Sequence, residues 1–314
     1  MYLFLAGILF ILSPTHAEPV PLESYQASTP IVHEFINSQA KRLGLDPEQI
    51  AGIIEKAHYT PAVIDKIRKP YEDLSWARYK KLLVSERRIN GGKQFVQDNK
   101  AVLRHAEETY GVPSSIITSI IGIESNYGKV QMPFSVLDSL STLSFNYPPR
   151  SKFFQSELAA FIEMVLKYNL NPTAIKGSYA GAIGIPQFMP SNYLTYAVRY
   201  KQDSLAPDLI SSREDSIMSV ANYLKRKGHW IHNTPIAKRA DELGQQLAIN
   251  KNSLVRFNAE TLATIDDPDK AYLKGIWCND ESECWLVYNN FMSIHSYNPR
   301  AKYAMAVTQL AESI

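Results

Sequence analysis

The chain has 314 residues, 45% of them hydrophobic and 20% charged, with a formal net charge of +2. Such a chain can bury a sizeable core, and a disordered class is excluded. No run of five or more like charges occurs, so the basic stripe of a nucleic-acid binder is missing and no nucleic-acid partner is expected.

Residues 2–13 (YLFLAGILFILS) form an apolar run of signal-peptide length, and Thr15-His16-Ala17 offers a cleavage site. A signal peptide is therefore expected over 1–17, with export to the periplasm. Retention of the uncleaved segment would leave the protein membrane-associated. The run is short for a bilayer span, and no Cys follows it to carry a lipid. A polar, Pro-containing leader covers 18–30, and 31–110 reads as a helical domain. Asp46-Pro47-Glu48 places a capping acid, a first-turn Pro and an acidic residue before an apolar stretch. Over 93–109, Phe95, Val96, Val102, Leu103 and Ala106 share one face, which predicts a single amphipathic helix ending at Gly111-Val112-Pro113.

The next helix begins near Ser114 and runs through IITSIIGIES. Ile lies on nearly every side of it, which predicts deep burial. Asn126-Tyr127-Gly128 reads as its stop, with Gly128 suited to a left-handed cap. Further amphipathic helices are predicted over 152–168 and 215–227. Between them, residues 177–191 (GSYAGAIGIPQFMPS) form a segment of small residues that admits close approach of backbone or ligand. Gln187 within it can donate and accept at once. Beyond 232, the β-compatible pieces SLVRF, KGIW and CWLVY alternate with polar turns. YAMAVTQLAES closes the chain as a final helix. Cys278 and Cys284 are the two cysteines, and their closeness in an exported chain points to a disulfide rather than a metal site. The class is mainly α with a small β-containing part.

Glu124 is the residue best placed for chemistry. It ends the Ile-rich helix, where burial penalises the anion and the negative end of the helix dipole pushes the same way. A carboxylic acid kept protonated near neutral pH is what glycosidic cleavage needs at the leaving oxygen. By position alone, an ordinary Glu in a last helical turn is the commoner explanation. Asp138, the nearest acid in SVLDSLSTL, sits at helical spacing among Val136, Leu137, Leu140 and Leu143, and reads as a cap or ion-pair partner.

Five ordered blocks carry a more specific signal: GIESNYG, LSFNYP, SYAGAIGxxQFMPS, SVANYL and YNxxxxYAMAV, within about residues 75–310. Together they resemble the lytic murein transglycosylase B family. The resemblance implies a lysozyme-like catalytic core over 111–231 and 290–314, following the helical N-terminal domain, with a small α/β insertion over 232–289. It implies cleavage of the β-1,4 bond between N-acetylmuramic acid and N-acetylglucosamine, with 1,6-anhydromuramic ends and no cofactor. Glu124 would be the lone acid and then base, because the nucleophile belongs to the substrate. Ser178 and Gln187 would hydrogen-bond the sugar. Tyr297, Asn298, Tyr303 and Tyr79 would line the groove, and Phe188 would wall it or join the core. Arg150 would meet the acidic stem peptide alone, since Pro149 stands where relatives often carry a first arginine. Some relatives hold calcium in an EF-hand-like loop; here Arg199 takes the place of the first acid and the central Gly is absent, so no metal is expected. The expected partners are peptidoglycan glycan strands, with cell-wall synthases or amidases as candidate recruiters, and the expected state is a monomer. Two competing readings are a muramidase that uses water and a non-catalytic peptidoglycan-binding protein.

Overall fold

The computed structural model describes residues 23–68, 74–130, 132–201 and 205–314. The expected signal peptide and the start of the leader lie outside these residues. Among the described residues, no helix is long and apolar enough to cross a membrane.

Helices α1 (Pro30–Leu43), α2 (Pro47–Ile54) and α3 (Pro61–Arg68) open the chain. Asp46 caps α2 by accepting from Glu48 N, with Pro47 as first helical residue. α4 (Trp76–Leu83) follows. The helix expected over 93–109 is in fact two, α5 (Glu86–Asp98) and α6 (Lys100–Tyr110). The break falls at Asn99, whose side-chain amide donates to Phe95 O at 2.8 Å. Asn competes with the helix ladder in this way, and apolar periodicity does not register it.

α7 (Ser114–Ser125) is the central helix. Ile116, Ile117, Ile120 and Ile121 are all buried, against α5, α6 and later helices. Its stop is a run of three left-handed residues, with φ of 50° at Asn126, 63° at Tyr127 and 77° at Gly128. Beyond it, β1 (Phe134–Ser135) leads into α8 (Val136–Asn146), and α9 (Ser151–Tyr168) returns after a turn at Pro148–Arg150. β2 (Lys176–Gly177) pairs antiparallel with β1. α10 (Pro190–Tyr196) and α11 (Arg213–Arg226) complete this part, the latter capped by Ser212 Oγ accepting from Asp215 N at 3.0 Å.

A four-stranded antiparallel sheet occupies the next stretch. It comprises β3 (Ala237–Arg239), β4 (Ser253–Arg256), β5 (Leu273–Cys278) and β6 (Cys284–Tyr288), in the order β3-β6-β5-β4. Helices α12 (Asp241–Gln246) and α13 (Ala259–Thr264) lie within it in sequence. Cys278 and Cys284 are register partners and form a disulfide across the β5–β6 hairpin. The chain ends with α14 (Asn289–Tyr297) and α15 (Ala301–Ser313).

The sheet fixes α4, which matters for the site. Trp76 sits edge-on to Trp277 at 5.4 Å and to Trp285 at 6.3 Å, and those two rings stack at 5.2 Å. Such pairs contribute about 0.5–1.5 kcal/mol each beyond area burial. Trp76 N also donates to Asp280 Oδ1 at 2.9 Å, and Lys302 Nζ of α15 donates to Leu74 O at 2.8 Å. α4 is thereby held between the sheet and α15, with Tyr79 on its middle turn.

Candidate active site

Glu124 lies in the last turn of α7, and α15 packs alongside. Tyr303 Oη donates to Glu124 Oε1 at 2.6 Å. The residue keeps a partly exposed face toward solvent, yet dense packing around its carboxyl desolvates it. That burial lifts the pKa from 4.5 to about 7, and the Tyr303 bond pulls it partly back. The Tyr303 phenol is itself 2% exposed, and burial beside Glu124 pushes its pKa well up. It therefore remains a committed donor.

Tyr297, at the end of α14, stands parallel to Tyr303 with centroids 6.5 Å apart. Its hydroxyl donates to Pro186 O, which ties α14 to the 177–191 segment. Tyr223 at 4.9 Å and Phe188 at 5.9 Å back its ring. Phe188 is 1% exposed, so it belongs to the core. Phe188 does not wall the groove as expected: the Tyr223 and Tyr297 rings pack against it, and its contribution is to support Tyr297.

In front of Glu124 lies a groove of about 650 Å³. Leu74, Tyr79, Leu82 and Leu83 line one side; Ile123, Glu124, Arg150 and Tyr179 line it with Tyr297, Asn298, Pro299, Arg300 and Tyr303. Among the described residues, Glu124 is the only carboxylate in that lining. A larger cavity of about 730 Å³ lies between α1, α9 and α10. The carboxylate on its wall, Glu163, faces Arg42 at 3.5 Å. Chemistry, not size, therefore selects the groove. The structure thus brings Glu124, Tyr79, Arg150, Tyr297, Asn298 and Tyr303 to one place from four separate stretches of sequence.

Residues 27–312 match the family described as the transglycosylase SLT domain. The chain belongs to this family. It is also 31% identical to the membrane-bound lytic murein transglycosylase B of Escherichia coli (strain K12), over 97% of this chain and 88% of that protein. The catenated lytic transglycosylase SltB1 from Pseudomonas aeruginosa is 34% identical with a TM-score of 0.80, covering 91% of this chain and 97% of that one. SltB3 from Pseudomonas aeruginosa, solved in complex with NAG-anhNAM-pentapeptide, is 25% identical with a TM-score of 0.76, covering 89% and 77%. The mainly helical, lysozyme-like fold and the enzyme class, a lytic transglycosylase, follow from these matches.

Two sugar-binding candidates of the transglycosylase shape their own loop. Ser178 Oγ accepts from Ala182 N at 3.1 Å, and Gln187 Nε2 donates to Gly184 O at 2.7 Å. Gln187 holds a left-handed φ of 53°. Neither is in the groove lining, although Tyr179, next to Ser178, is. Arg150 is exposed on the groove, its guanidinium 4.4 Å over Phe153 and 5.1 Å over Phe154. Asp138 accepts from His58 N at 2.8 Å and tethers α8 to the segment before α3. In the loop ahead of α11, the Asp215 carboxylate accepts from Tyr200 N and Asp208 N, each at 2.8 Å. Tyr200 and Asp208 are thereby held to the first turn of α11. Tyr179 and Arg300 are groove residues that sequence reasoning passed over, although each adjoins a residue or motif it named.

Proposed function

We propose that this transglycosylase cuts the β-1,4 bond between N-acetylmuramic acid and N-acetylglucosamine, leaving 1,6-anhydromuramic ends, with Glu124 as lone acid and then base. The observation that carries this reading is a carboxyl lifted to about 7 in a groove whose lining, among the described residues, holds no second carboxylate. Hydrolysis through two carboxylates needs a partner that the described residues of this lining do not supply. A single group can serve if it first gives and then takes a proton, and a pKa near the working pH suits both tasks.

In the first step, protonated Glu124 donates to the glycosidic oxygen as the bond to the muramic C1 breaks. The N-acetylglucosamine leaves with a free 4-hydroxyl. In the second step, the Glu124 carboxylate takes the proton of the muramic C6 hydroxyl, and O6 closes on C1. Glu124 ends as it began, protonated, and no water is consumed. The Tyr303 hydroxyl steadies the carboxylate between the steps, since its bond favours the charged form. Tyr79, Tyr179 and Tyr297 offer aromatic faces to the sugar rings. Asn298 would orient an acetamido group. Ser178 and Gln187 would meet the sugar from the adjoining loop, and Arg150 the acidic stem peptide. The anhydromuramic ligand of SltB3 supports the product assignment. The apolar run at 2–13 supports export to the periplasm, where peptidoglycan is found.

The test is mass analysis of sacculi digested by wild type and by Glu124→Gln. Wild type should release products one water lighter than hydrolytic ones. The Gln variant should be slower by about 10²–10⁴-fold, the usual range for a lost general acid. A Gln variant that digests sacculi at the wild-type rate would sink the assignment.

A further inference from the structure

The position of Glu124 depends on the turn at the end of its helix. Asn126 and Tyr127 hold left-handed backbone, with φ of 50° and 63°, a conformation that costs a non-glycine residue about 1–2 kcal/mol. Something must keep them there, and the Tyr127 side chain does. It is 2% exposed and enters a slot formed by Gly91 and Gly92 of α5 and Gly122 of α7. A Cβ at these three positions would lie 2.8, 2.9 and 2.6 Å from Tyr127 atoms, closer than such atoms come without displacement. The Tyr127 hydroxyl donates to Arg88 O at 2.6 Å, and Phe95 packs against the ring at 5.6 Å.

Arg88 grips the same turn from its other end. Its guanidinium donates to Gly122 O, a carbonyl that also accepts from Asn126 N at 3.1 Å. α5 therefore holds the last turn of α7 on both sides of Glu124, through Gly122 before it and Tyr127 after it. Adjacent glycines inside a helix cost about 1 kcal/mol each relative to alanine. In sequence, Gly91-Gly92 looks like a weak point of α5. In the fold the pair is a socket, and it serves a second helix too. A Cβ at Gly92 would collide with Ile314 Cδ1, just past the end of α15, the helix that carries Tyr303.

We infer that Arg88, Gly91, Gly92 and Tyr127 are positioning residues: Tyr127, seated in a socket that the other three form on α5, keeps Glu124 sunk beside Tyr303. None of them lines the groove. The inference rests on Glu124 being the acid, as proposed above. The titratable and charged groups facing Glu124 are Tyr303 of α15, Tyr297 of α14, Tyr79 of α4, Tyr179, Arg150 and Arg300, with Arg88 at the Gly122 carbonyl. Gly91→Ala removes none of these groups, so a change in Glu124 titration there reports its burial; Tyr127→Leu also takes a hydroxyl from Arg88 O.

The decisive variant is Gly91→Ala. As a helix substitution alone, it should stabilise α5 and leave activity untouched. If Gly91 is a socket, the new methyl meets Tyr127 Cε2 at 2.8 Å, the ring is expelled and water reaches Glu124. The alkaline limb of kcat/KM then moves to lower pH by about one unit, and kcat falls about five-fold at pH 7 and roughly ten-fold above pH 8, with KM nearly unchanged. Tyr127→Leu empties the slot without adding bulk and should move the limb the same way; it decides the matter if Gly91→Ala does not fold. Thermal melts establish that each variant is cooperative. Loss of activity in Glu124→Gln assigns the limb to Glu124 independently of the socket. A limb at the wild-type pH in a cooperatively folded variant overturns the inference.

Discussion

Replacing Glu124 by Gln should stabilise the protein, and by an amount that depends on pH. The native carboxyl titrates at about 7 and an unperturbed one at 4.5. Between those values the native state binds more protons than the unfolded state, so wild-type stability falls as pH rises through that window. Below pH 4.5 both states are protonated, and Glu and Gln should be nearly equivalent. Above pH 7 the wild type carries a desolvated anion that the Gln variant does not. At 1.36 kcal/mol per pH unit, the gap corresponds to about 3 kcal/mol. Groove water reaches part of the residue, so that figure is an upper bound. The assay is urea denaturation of both proteins at a series of pH values from about 4 to 8.5, with the difference in unfolding free energy plotted against pH. A difference that is flat with pH, or that favours wild type at pH 8, would refute the argument that burial sets the Glu124 pKa.

Tyr303→Phe removes a hydrogen bond that favours the carboxylate. A bond to a charged group contributes about 1.5–3 kcal/mol, so the alkaline limb of kcat/KM should move up by about one pH unit or more; movement to lower pH would contradict this. Arg150→Ala should weaken binding of peptide-bearing glycan more than bare glycan, and equal loss on both would count against a peptide contact. Added calcium or a chelator should leave the melting temperature unchanged, because Arg199 stands where the first acid of a calcium loop would be and the central Gly is absent; a clear calcium-dependent shift would show a site there.

The sequence is most legible where one physical signal acts alone. The Ile-rich run marks α7 as buried because no face of it is polar, and SLVRF, KGIW and CWLVY mark β4, β5 and β6 by β-branched and aromatic content. β3 gives no such signal because Ala237-Lys238-Arg239 has neither; it is a strand only because β6 offers it a partner. Asn99 breaks an expected helix through a side-chain bond that apolar spacing does not record. Within the site, Glu124 stands out by its helix end, but the pairing with Tyr303 joins residues 179 positions apart and needs the packing of α15 on α7. Phe188 follows Gln187 in a motif expected to meet the sugar, yet the chain turns its ring inward behind Tyr297. Arg88 lies in a charged stretch that looks solvated in sequence, and only the fold shows its guanidinium on the Gly122 carbonyl.

The central claim is that one carboxyl performs both proton transfers while the substrate supplies the nucleophile. Digesting sacculi in ¹⁸O-labelled water tests it most directly. Because O6 of the muramic residue closes the ring, the new ends should carry no label and should have the anhydro mass. One ¹⁸O at each newly formed muramic end would contradict the account, since water would then be the nucleophile.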